Sequence, residues 1–351
     1  MTARELVMAY GWNATAYQIL NPGIDHWFSA DAPAVAGYTR RGKFLVAAGA
    51  PVCPPELLAA VAEEFEAFAA DQGCRVCYVC ASERLLALWR GSKTHATVTI
   101  GAEPVWDPRG WPAVVRRHRS LRAQLNRARN KGVVVEAWEP ELGRTDPELQ
   151  RVLREWGGVR CLPPLHFLTE PQVLQGEVAD RMLLVARQDR RAVAFLVASP
   201  VAARNGYLVE QVARSPHAPN GTSELLIDAA MQRFAEAGRE YATLGLVALS
   251  NHANRGLAEN PAWLGALMRF ARSYANRFYN FQGLERFRAK MEPDSWEPVY
   301  AISNEQHFSP FALYAMGEAF SGIAPWRAIA IALWQAGRRE IKQLVLLKTS
   351  H

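Results

Sequence analysis

The sequence predicts a mixed α/β fold, of the α+β kind, built as two units. Strand-like and helix-like segments alternate along the 351 residues, and half of the residues are hydrophobic, which is enough for two ordinary cores. The alternation starts again after Gly132, directly behind a strongly basic segment. We therefore predict a first unit over 1–112, a basic connecting helix over 113–132, a second unit over 133–304 and an amphipathic helical tail over 305–351.

The first unit is predicted from the spacing of its apolar residues. Segment Gly37–Ala48 has the pattern of a β-hairpin, and Pro54–Asp71 has its apolar residues on one helical face. Strands are predicted at Arg75–Cys80 and Ala96–Ile100, before a turn rich in proline, tryptophan and glycine. A helix between two strands indicates an α/β arrangement.

The connecting helix, Ala113–Lys131, contains no acidic residue. A solvated helix face normally mixes Glu with Lys or Arg, because such pairs stabilise each other one turn apart. A helix of one charge sign repels itself unless a partner neutralises it, which favours a polyanion-binding role over a simple solvated face. RNA phosphate and lipid phosphate both fit this role. The arginines predicted to bind the polyanion are Arg116, Arg119, Arg122, Arg127 and Arg129.

The second unit contains three consecutive strands, then a helix, then a further strand. This β-β-β-α-β order is typical of GNAT-type acyltransferases, a likeness of fold that does not by itself establish chemistry. The predicted segments are strand Val133–Trp138, helix Asp146–Trp156, strands Arg181–Arg187, Ala192–Ser199 and Tyr207–Arg214, helix Thr222–Ala237, and strand Tyr241–Ala248.

The composition restricts the partners and the location of the protein. A net charge of +6 and a pI of about 9.2 favour an acidic partner such as nucleic acid or anionic lipid headgroups. No apolar run approaches the roughly 20 residues that span a bilayer. The N-terminus lacks the apolar core and cleavage site of a signal peptide. We expect a cytoplasmic protein, in solution or peripheral at the inner face of the membrane.

Three of the five cysteines, Cys74, Cys77 and Cys80, have a spacing that invites a metal-site interpretation. Side chains on a strand alternate between faces, so Cys77 is predicted to point away from the other two and the three cannot share a metal. No phosphate-binding loop, dinucleotide fingerprint or His-Glu-x-x-His motif is present. We therefore predict no metal and no cofactor, with an activated acyl donor as co-substrate.

Two segments of the second unit have the composition of a site. Segment Tyr279–Tyr300, YNFQGLERFRAKMEPDSWEPVY, alternates aromatic residues with Arg, Lys and carboxylates. Neither a plain core nor a solvated surface requires that mixture, because buried unpaired ions are costly. Segment Arg214–Ile227 follows an apolar strand and opens a helix, so its turn can present backbone N–H groups to an oxyanion. Together the two segments indicate acyl transfer.

Four ordered motifs, SLRAQLNRARNKGVVVEAW, APNGTSELL, LGLVALS and YNFQGLERFRAKMEPDSWEPVY, carry a resemblance to a known family. The sequence resembles, over Tyr10–Ile302, the catalytic C-terminal domain of bacterial phosphatidylglycerol lysyltransferases, the multiple peptide resistance factor family. The resemblance implies two tandem GNAT-like domains joined by a basic helix. It also implies aminoacyl-tRNA as the donor and an anionic membrane lipid as the acceptor.

The sequence departs from the family pattern at three points. Family members commonly have an aspartate where this chain has Glu224, and a Phe-Lys-x-Lys motif where it has Phe287-Arg288-Ala289-Lys290. At Glu224 and Arg288 the sign of the charge is the same as in the family pattern, whereas the length of the side chain differs. Members also commonly carry a large transmembrane part, which this sequence does not contain. We therefore expect the lipid to be reached from the surface, with no flippase role.

Catalytic roles are predicted for Glu224, Lys290 and Arg286. Glu224 stands near a helix start, as a general base or as an orienting group, or simply as a carboxylate stabilised by the helix dipole. Lys290 and Arg286 are four residues apart and would share a helical face suited to phosphate or to the terminal adenosine of a donor. The alternative is a surface helix paired through Glu285.

Substrate binding is predicted for the helix-opening turn and for the aromatic and charged segment behind it. Glycine in the turn permits positive φ, and the aromatic rings either stack on a base or belong to the core. The predicted substrate-binding residues are Asn220, Gly221, Thr222, Tyr279, Phe281, Glu285, Arg288 and Trp296.

Two other functions stay open on the sequence alone. One is an N-acyltransferase that uses acyl-CoA or an acyl carrier protein on an amphiphilic amine. The pyrophosphate-binding loop of CoA-using GNAT proteins is not visible at Arg214–Glu224, which argues against it. The other is an inactive module that binds polyanions or membranes. The tail Pro310–Leu347 is predicted to pack on the protein, with a lipid interface as the alternative.

Overall fold

The computed structural model describes residues 1–158, 165–176, 179–254, 261–266, 281–327 and 330. Within these residues, twelve strands form one sheet, which confirms the mixed α/β prediction. The strands are β1 (Asp25–Phe28), β2 (Val35–Arg41), β3 (Phe44–Ala48), β4 (Arg75–Ala81), β5 (Ala96–Trp106), β6 (Val134–Trp138), β7 (Met182–Gln188), β8 (Arg191–Val201), β9 (Gly206–Arg214), β10 (Tyr241–Thr243), β11 (Val247–Ala248) and β12 (Ser295–Ser303).

Helices cover this sheet and connect its strands. The bounds of the described α-helices are α1 (Ala3–Tyr10), α2 (Leu58–Asp71), α3 (Glu83–Leu86), α4 (Trp111–Arg117), α5 (Arg119–Asn130), α6 (Pro140–Thr145), α7 (Pro147–Gly158), α8 (Thr222–Glu236), α9 (Phe281–Ala289) and α10 (Pro310–Ser321). No helix among the described residues has both the length and the apolar character that crossing a bilayer requires.

The sheet order is β1-β2-β3-β4-β12-β5-β10-β9-β8-β7-β6, with β11 paired to β5. Strand β12 lies between β4 and β5 and is antiparallel to both. The last strand of the predicted second unit therefore pairs with strands of the predicted first unit. The pairing of β5 with β10 continues the same sheet into β9, β8, β7 and β6.

Two parallel strand pairs position the main helices. Helix α2 connects β3 to β4, and helix α8 connects β9 to β10. Each helix buries its apolar face against the sheet, with Phe65 of α2 and Phe234 of α8 fully buried. Helices α4 and α5 pack into the same core cluster as α8, through Val114, Leu121 and Leu125 among others. The start of α8 is therefore fixed between the sheet and the basic segment.

The basic segment is two helices, so the prediction of one continuous helix over Ala113–Lys131 is wrong. The chain is extended at His118, with φ −89° and ψ 94°, between α4 and α5. The Arg122 guanidinium donates hydrogen bonds to the carbonyl oxygens of Val115, at 3.1 Å, and of Arg116. In an unbroken helix the N–H groups four residues on would bond to those carbonyls. Arg122 thus replaces backbone bonds and stabilises the break.

The predicted strand Tyr241–Ala248 is also interrupted. Strand β10 pairs with β9 and β5, whereas β11 pairs with β5 and with no other described strand. Between them Gly245 adopts a positive φ of 75°, and its N–H donates to the Thr243 hydroxyl at 3.0 Å. The chain therefore leaves the β9 side of the sheet at Gly245.

The cysteines of β4 are buried thiols, as predicted, but their faces differ from the prediction. Cys77 and Cys80 belong to one core cluster and Cys74 to another. Strict alternation fails because Cys80 has a positive φ of 62°. Burial raises the pKa of the Cys77 and Cys80 thiols well above the usual range. Cys161 lies outside the described residues.

The described part of the tail packs on the protein. Helix α10 buries Ala312, Ala315 and Met316 in the core cluster shared with β2, β3 and β4. Its outer residues Phe311 and Tyr314 are exposed. The tail beyond residue 327, apart from residue 330, lies outside the described residues.

Candidate active site

Gly221 opens helix α8 and brings it against helix α5. Its φ of 92° is in the left-handed region, and a Cβ atom added there would lie 2.1 Å from the carbonyl oxygen of Gln124. Only glycine permits both the conformation and the close approach. The Thr222 hydroxyl donates to the Pro219 carbonyl at 2.7 Å, which fixes the turn. The Asn-Gly-Thr turn thus packs against Gln124 of the basic segment on one side. On the other side it is held by its own hydrogen bond from Thr222 to Pro219.

No side chain of the described residues caps the first turn of α8. The first four N–H groups of a helix have no partner within the helix, and here Thr222 N donates to Pro219 O at 3.2 Å. The N–H groups of Ser223 and Glu224 are given no acceptor by the described residues. The helix start therefore offers backbone donors and a favourable dipole to a negative charge.

Glu224 and Lys290 face each other at this helix start. The Lys290 Nζ atom lies 4.0 Å from Glu224 Oε1, and the two side chains are 29% and 13% exposed. Lys290 continues α9, since its N–H donates to the Arg286 carbonyl at 2.9 Å. Two residues that are 66 positions apart in the sequence are thus brought together beside unpaired backbone donors.

The other charged residues of α9 anchor the segment. Glu285 accepts hydrogen bonds from the Ser250 hydroxyl at 2.7 Å and from the Asn251 N–H at 3.0 Å, so it holds the loop after β11. Arg288 donates to the Gly245 carbonyl at 2.6 Å, at the point where the chain leaves β9. Arg286 is exposed. Tyr279 and the side chain of Phe281 lie outside the described residues.

Trp296 is half-buried at the start of β12 and is already stacked on one face. The His252 imidazole lies parallel to it, with 4.2 Å between ring centroids and 6° between planes. The His252 Nε2 atom is also 4.0 Å from Glu285 Oε1. A base could therefore stack only on the second face of Trp296. Sequence reasoning missed His252, because a single histidine in the loop SNHAN carries no motif.

Two of the five predicted polyanion-binding arginines are engaged within the protein. Arg129 Nη2 lies 2.9 Å from Asp228 Oδ2, and the same buried carboxylate accepts from the Trp111 indole at 2.9 Å. Arg122 bonds the end of α4, as described above. Arg116, Arg119 and Arg127 are exposed. The basic segment contains no acidic residue of its own, and Asp228 of α8 supplies an acidic partner for one of its arginines.

Sequence reasoning also missed a buried acidic cluster in the middle of the sheet. Glu103 of β5 lies directly opposite Glu297 of β12. Arg204 donates to both Glu297 oxygens, at 2.7 and 2.6 Å, and its guanidinium lies 3.7 Å from the ring centroid of Tyr241. Burial, together with the charge of Glu297, raises the pKa of Glu103 to about 7. The available signal was one glutamate inside the otherwise uncharged strand ATVTIGAEPVW.

No group of three or more His, Cys, Asp or Glu residues that could hold a metal occurs in the described part of the chain. The polar groups at the start of α8 are instead suited to a substrate that develops negative charge.

The architecture is a mixed α/β sheet in which helix α8, with its uncapped start, connects β9 to β10. A family model described as "Phosphatidylglycerol lysyltransferase, C-terminal" matches residues 4–303, so the chain belongs to that family, as the resemblance predicted.

One relative is a phosphatidylglycerol lysyltransferase from Staphylococcus epidermidis, 23% identical over 309 residues, which are 87% of this chain and 35% of that protein. The chain thus spans about a third of the length of that curated relative.

Two solved structures share the fold. The C-terminal domain of an Agrobacterium fabrum protein has a TM-score of 0.75 at 23% identity, covering 91% of this chain and 96% of that one. The structure of L-PGS from Bacillus licheniformis has a TM-score of 0.74 at 20% identity, covering 90% of this chain and 94% of that one.

Proposed function

We propose that this chain is an aminoacyltransferase that moves an aminoacyl group from aminoacyl-tRNA to a hydroxyl of a membrane lipid such as phosphatidylglycerol. The observation that carries the proposal is the Glu224–Lys290 pair at the uncapped start of α8. Family membership supports it, since the matching profile is that of the lysyltransferase C-terminal domain. Transfer is direct, without a covalent intermediate on the enzyme.

The proposed reaction exchanges one ester for another. The lipid hydroxyl attacks the carbonyl carbon of the aminoacyl ester, and its proton passes to Glu224. Charge develops on the carbonyl oxygen, which the N–H groups of Ser223 and Glu224 and the Lys290 ammonium can stabilise. The bond to the ribose oxygen of the tRNA then breaks, and that oxygen takes up the proton. These reaction steps need no metal ion or other cofactor.

The remaining predicted site residues have supporting roles in this proposal. Asn220, Gly221 and Thr222 shape the turn that carries the donors, while Glu285 and Arg288 hold α9 so that Lys290 reaches Glu224. Arg286 is the exposed cation of α9 and would contact donor phosphate. Trp296, through its free face, and the aromatic residues Tyr279 and Phe281 would line the substrate path.

The tRNA is proposed to bind along the basic segment. The exposed arginines Arg116, Arg119 and Arg127 would contact phosphates, and such contacts weaken steeply with salt because counterions are released. Arg122 and Arg129 would contribute indirectly, by fixing α4 and α5 against α8. The acceptor is an anionic lipid reached from the surface of the bilayer, so we propose a cytoplasmic protein, peripheral at the inner face of the membrane.

The fold is proposed to consist of two GNAT-like units. Strands β6, β7, β8 and β9, helix α8 and strand β10 follow the order expected of such a unit, and β3, α2 and β4 repeat the parallel crossover in the first half. The proposed boundaries remain 1–112 and 133–304, joined by 113–132. In this description β12 is an element of the second segment that completes the sheet of the first.

A donor competition tests the proposal. The purified chain is incubated with a total lipid extract and either a mixture of charged tRNAs or acyl-CoA, and new lipid species are followed by mass spectrometry. We expect aminoacylated lipid with charged tRNA only. A product formed from acyl-CoA alone would support an N-acyltransferase instead. No product from either donor, with tRNA binding retained, would indicate an inactive binding module.

A further inference from the structure

Helix α10 and the turn that follows it carry a group of exposed aromatic side chains. Phe311 is 76% exposed and Trp326 is 60% exposed, which makes them the two most exposed aromatic residues in the described part of the chain, and Tyr314 is 43% exposed. Grouped apolar side chains are rare on the surface of a monomeric protein, and where they occur they mark an interaction site. We call Phe311, Tyr314 and Trp326 the aromatic surface of α10.

The fold brings these three side chains together. The first two are three residues apart on α10, so they are neighbours on the surface of the helix. The helix ends at Gly322, whose φ of 66° turns the chain back. Pro325 then packs on Gly317, where an added Cβ would lie 3.0 Å from the proline Cγ. Trp326 therefore stands beside α10, about one helical turn beyond Tyr314.

The inner side of α10 holds the aromatic surface in place. Ala312, Ala315 and Met316 are buried in the core cluster shared with β2, β3 and β4. The Ser309 hydroxyl caps the helix start, since it accepts from the Ala312 N–H at 3.1 Å and donates to buried Glu305 at 3.1 Å. The helix cannot turn its aromatic residues inward without breaking this packing, so their exposure is fixed by the fold.

A cation lies near the start of α10. Arg41 of β2 is directly opposite Phe44 of β3, so both side chains are on the same face of the sheet. Phe44 belongs to the core cluster that α10 covers. It is also level with Arg75 of β4, whose guanidinium bonds Glu305, the acceptor of the Ser309 hydroxyl at the helix cap. Arg41 thus lies near the first turn of α10, on the side of the sheet that the helix covers.

A second cation lies at the other end of the aromatic surface. The Arg327 guanidinium is 5.1 Å from the centre of the Trp326 ring. Arg41 and Arg327 have no carboxylate partner within the described residues, whereas Arg75 is paired. Helix α10 has one acidic residue, the half-buried Glu318. The aromatic surface is thus flanked by positive charge that no described carboxylate neutralises.

This combination fits the headgroup region of an anionic bilayer. Trp and Tyr concentrate at the boundary between hydrocarbon and water, where the ring enters the apolar layer and its polar atom stays hydrated. Arginines beside them meet the negative potential of the lipid phosphates. A helix of 12 residues is about 18 Å long, which is too short to span a bilayer but suited to lying on one.

We propose that the aromatic surface of α10 docks the protein on an anionic lipid bilayer, with its three rings entering the interface and with Arg41 and Arg327 against lipid phosphates. This docking surface is separate from the start of α8, because α10 and α8 bury their apolar faces in different core clusters. Its use, to hold the enzyme at the membrane that supplies the acceptor, rests on the proposed function. The affinity for bilayers does not.

Vesicle flotation tests the docking. The purified chain is mixed with vesicles of phosphatidylglycerol and phosphatidylcholine, or of phosphatidylcholine alone, and we expect stronger binding to the anionic vesicles. The double variant Phe311→Ala/Trp326→Ala should bind them at least about tenfold more weakly, because two rings no longer enter the interface. Arg327→Gln should lower binding to the anionic vesicles severalfold and leave binding to phosphatidylcholine unchanged. Leu142→Ala, which removes a side chain of α6 as exposed as Trp326, is the matched control and should bind like wild type.

Equal binding of wild type and the double variant, or an equal loss in Leu142→Ala, would overturn the proposal. So would a wild-type dimer that the double variant cannot form, measured by analytical ultracentrifugation without lipid, because the surface would then join two copies of the chain. The thermal midpoint of the double variant should equal that of wild type. If it is lower, Trp326→Ala alone, which lies beyond the helix, gives the same test with the same expected direction.

The transfer reaction separates docking from catalysis. With phosphatidylglycerol vesicles as the acceptor, the double variant should show a raised apparent KM for lipid. With a short-chain phosphatidylglycerol kept below its critical micelle concentration, it should keep the wild-type rate. Loss of rate with both acceptors would refute the docking role, because the surface would then act in the transfer step itself. If wild type transfers nothing to either acceptor, the proposed function fails, and vesicle flotation still decides whether the docking surface exists.

Discussion

Replacement of Glu103 by glutamine tests the electrostatics at the centre of the sheet. Glu103 is 7% exposed and lies opposite Glu297 on the neighbouring strand. Burial, the largest cause, and the neighbouring Glu297 carboxylate raise its pKa from 4.5 to about 7, while Arg204 and Arg288 oppose the shift. Glutamine keeps the size and polarity of the side chain and removes only the charge. The variant therefore isolates the cost of ionising Glu103 in the folded protein.

The sign of the effect follows from the raised pKa. The folded protein binds the Glu103 proton more tightly than the unfolded chain does, so wild-type stability decreases as the pH rises from 4.5 through about 7. A shift of roughly 2.5 pKa units corresponds to about 3 kcal/mol at most. Below pH 4.5 the free energy of unfolding of the variant should differ from that of wild type only by a constant offset. Above pH 8 it should be more stable than wild type by up to about 3 kcal/mol.

Urea denaturation of both proteins at pH 4.5, 6, 7 and 8 measures this difference directly. The difference in unfolding free energy should grow with pH, and the dependence on urea should keep the same slope. Glu63→Gln serves as the control and should show no such trend. A difference that does not change between pH 4.5 and pH 8, or that decreases, would contradict the raised pKa, because it would show that Glu103 ionises in the fold as easily as in the unfolded chain.

Two further variants test the construction of the candidate site. Gly221→Ala should destabilise the protein by about 1–3 kcal/mol and lower the rate of transfer, because the added Cβ meets the Gln124 carbonyl at a strained φ. The control is Gly110→Ala, where an added Cβ meets no described atom within 4 Å. An unchanged thermal midpoint in Gly221→Ala would contradict this expectation. Arg129→Ala should lower stability by about 1–3 kcal/mol, because it removes the cationic partner of buried Asp228. Arg127→Ala should leave stability within about 0.5 kcal/mol and weaken tRNA binding. Equal effects of the two arginine replacements on both stability and tRNA affinity would contradict the division into packing and binding residues.

The elements that could be predicted from sequence are those with a strong local signal. The hairpin β2–β3, the helices α2 and α8 and the strands β6 to β9 follow directly from apolar periodicity and from glycine or cap residues at their ends. Asp146, at the start of the predicted helix Asp146–Trp156, accepts from the N–H groups of Glu148 and Leu149 at 2.9 Å. The Asn-Gly-Thr turn and Lys290 could be placed in one site because both belong to motifs of the family.

What could not be predicted depends on residues far apart in sequence. The insertion of β12 between β4 and β5 is a tertiary pairing that no local pattern announces. The pairing of Arg129 within the protein depends on Asp228, almost 100 residues away. The Glu103 cluster unites β5, β12 and the turn before β9. In each case the sequence shows the residue, and only the fold supplies its partner.

We propose that Glu224 and Lys290 carry out acyl transfer at the start of α8. The most direct measurement is the single-turnover rate of aminoacyl transfer from charged tRNA to phosphatidylglycerol vesicles, for wild type, Glu224→Gln and Lys290→Ala. Each variant should lose about 10²-fold or more in rate while tRNA affinity changes little. The controls, Glu236→Gln at the far end of α8 and exposed Lys43→Ala, should keep the wild-type rate. Wild-type rates in both Glu224→Gln and Lys290→Ala would contradict the catalytic roles of these two residues.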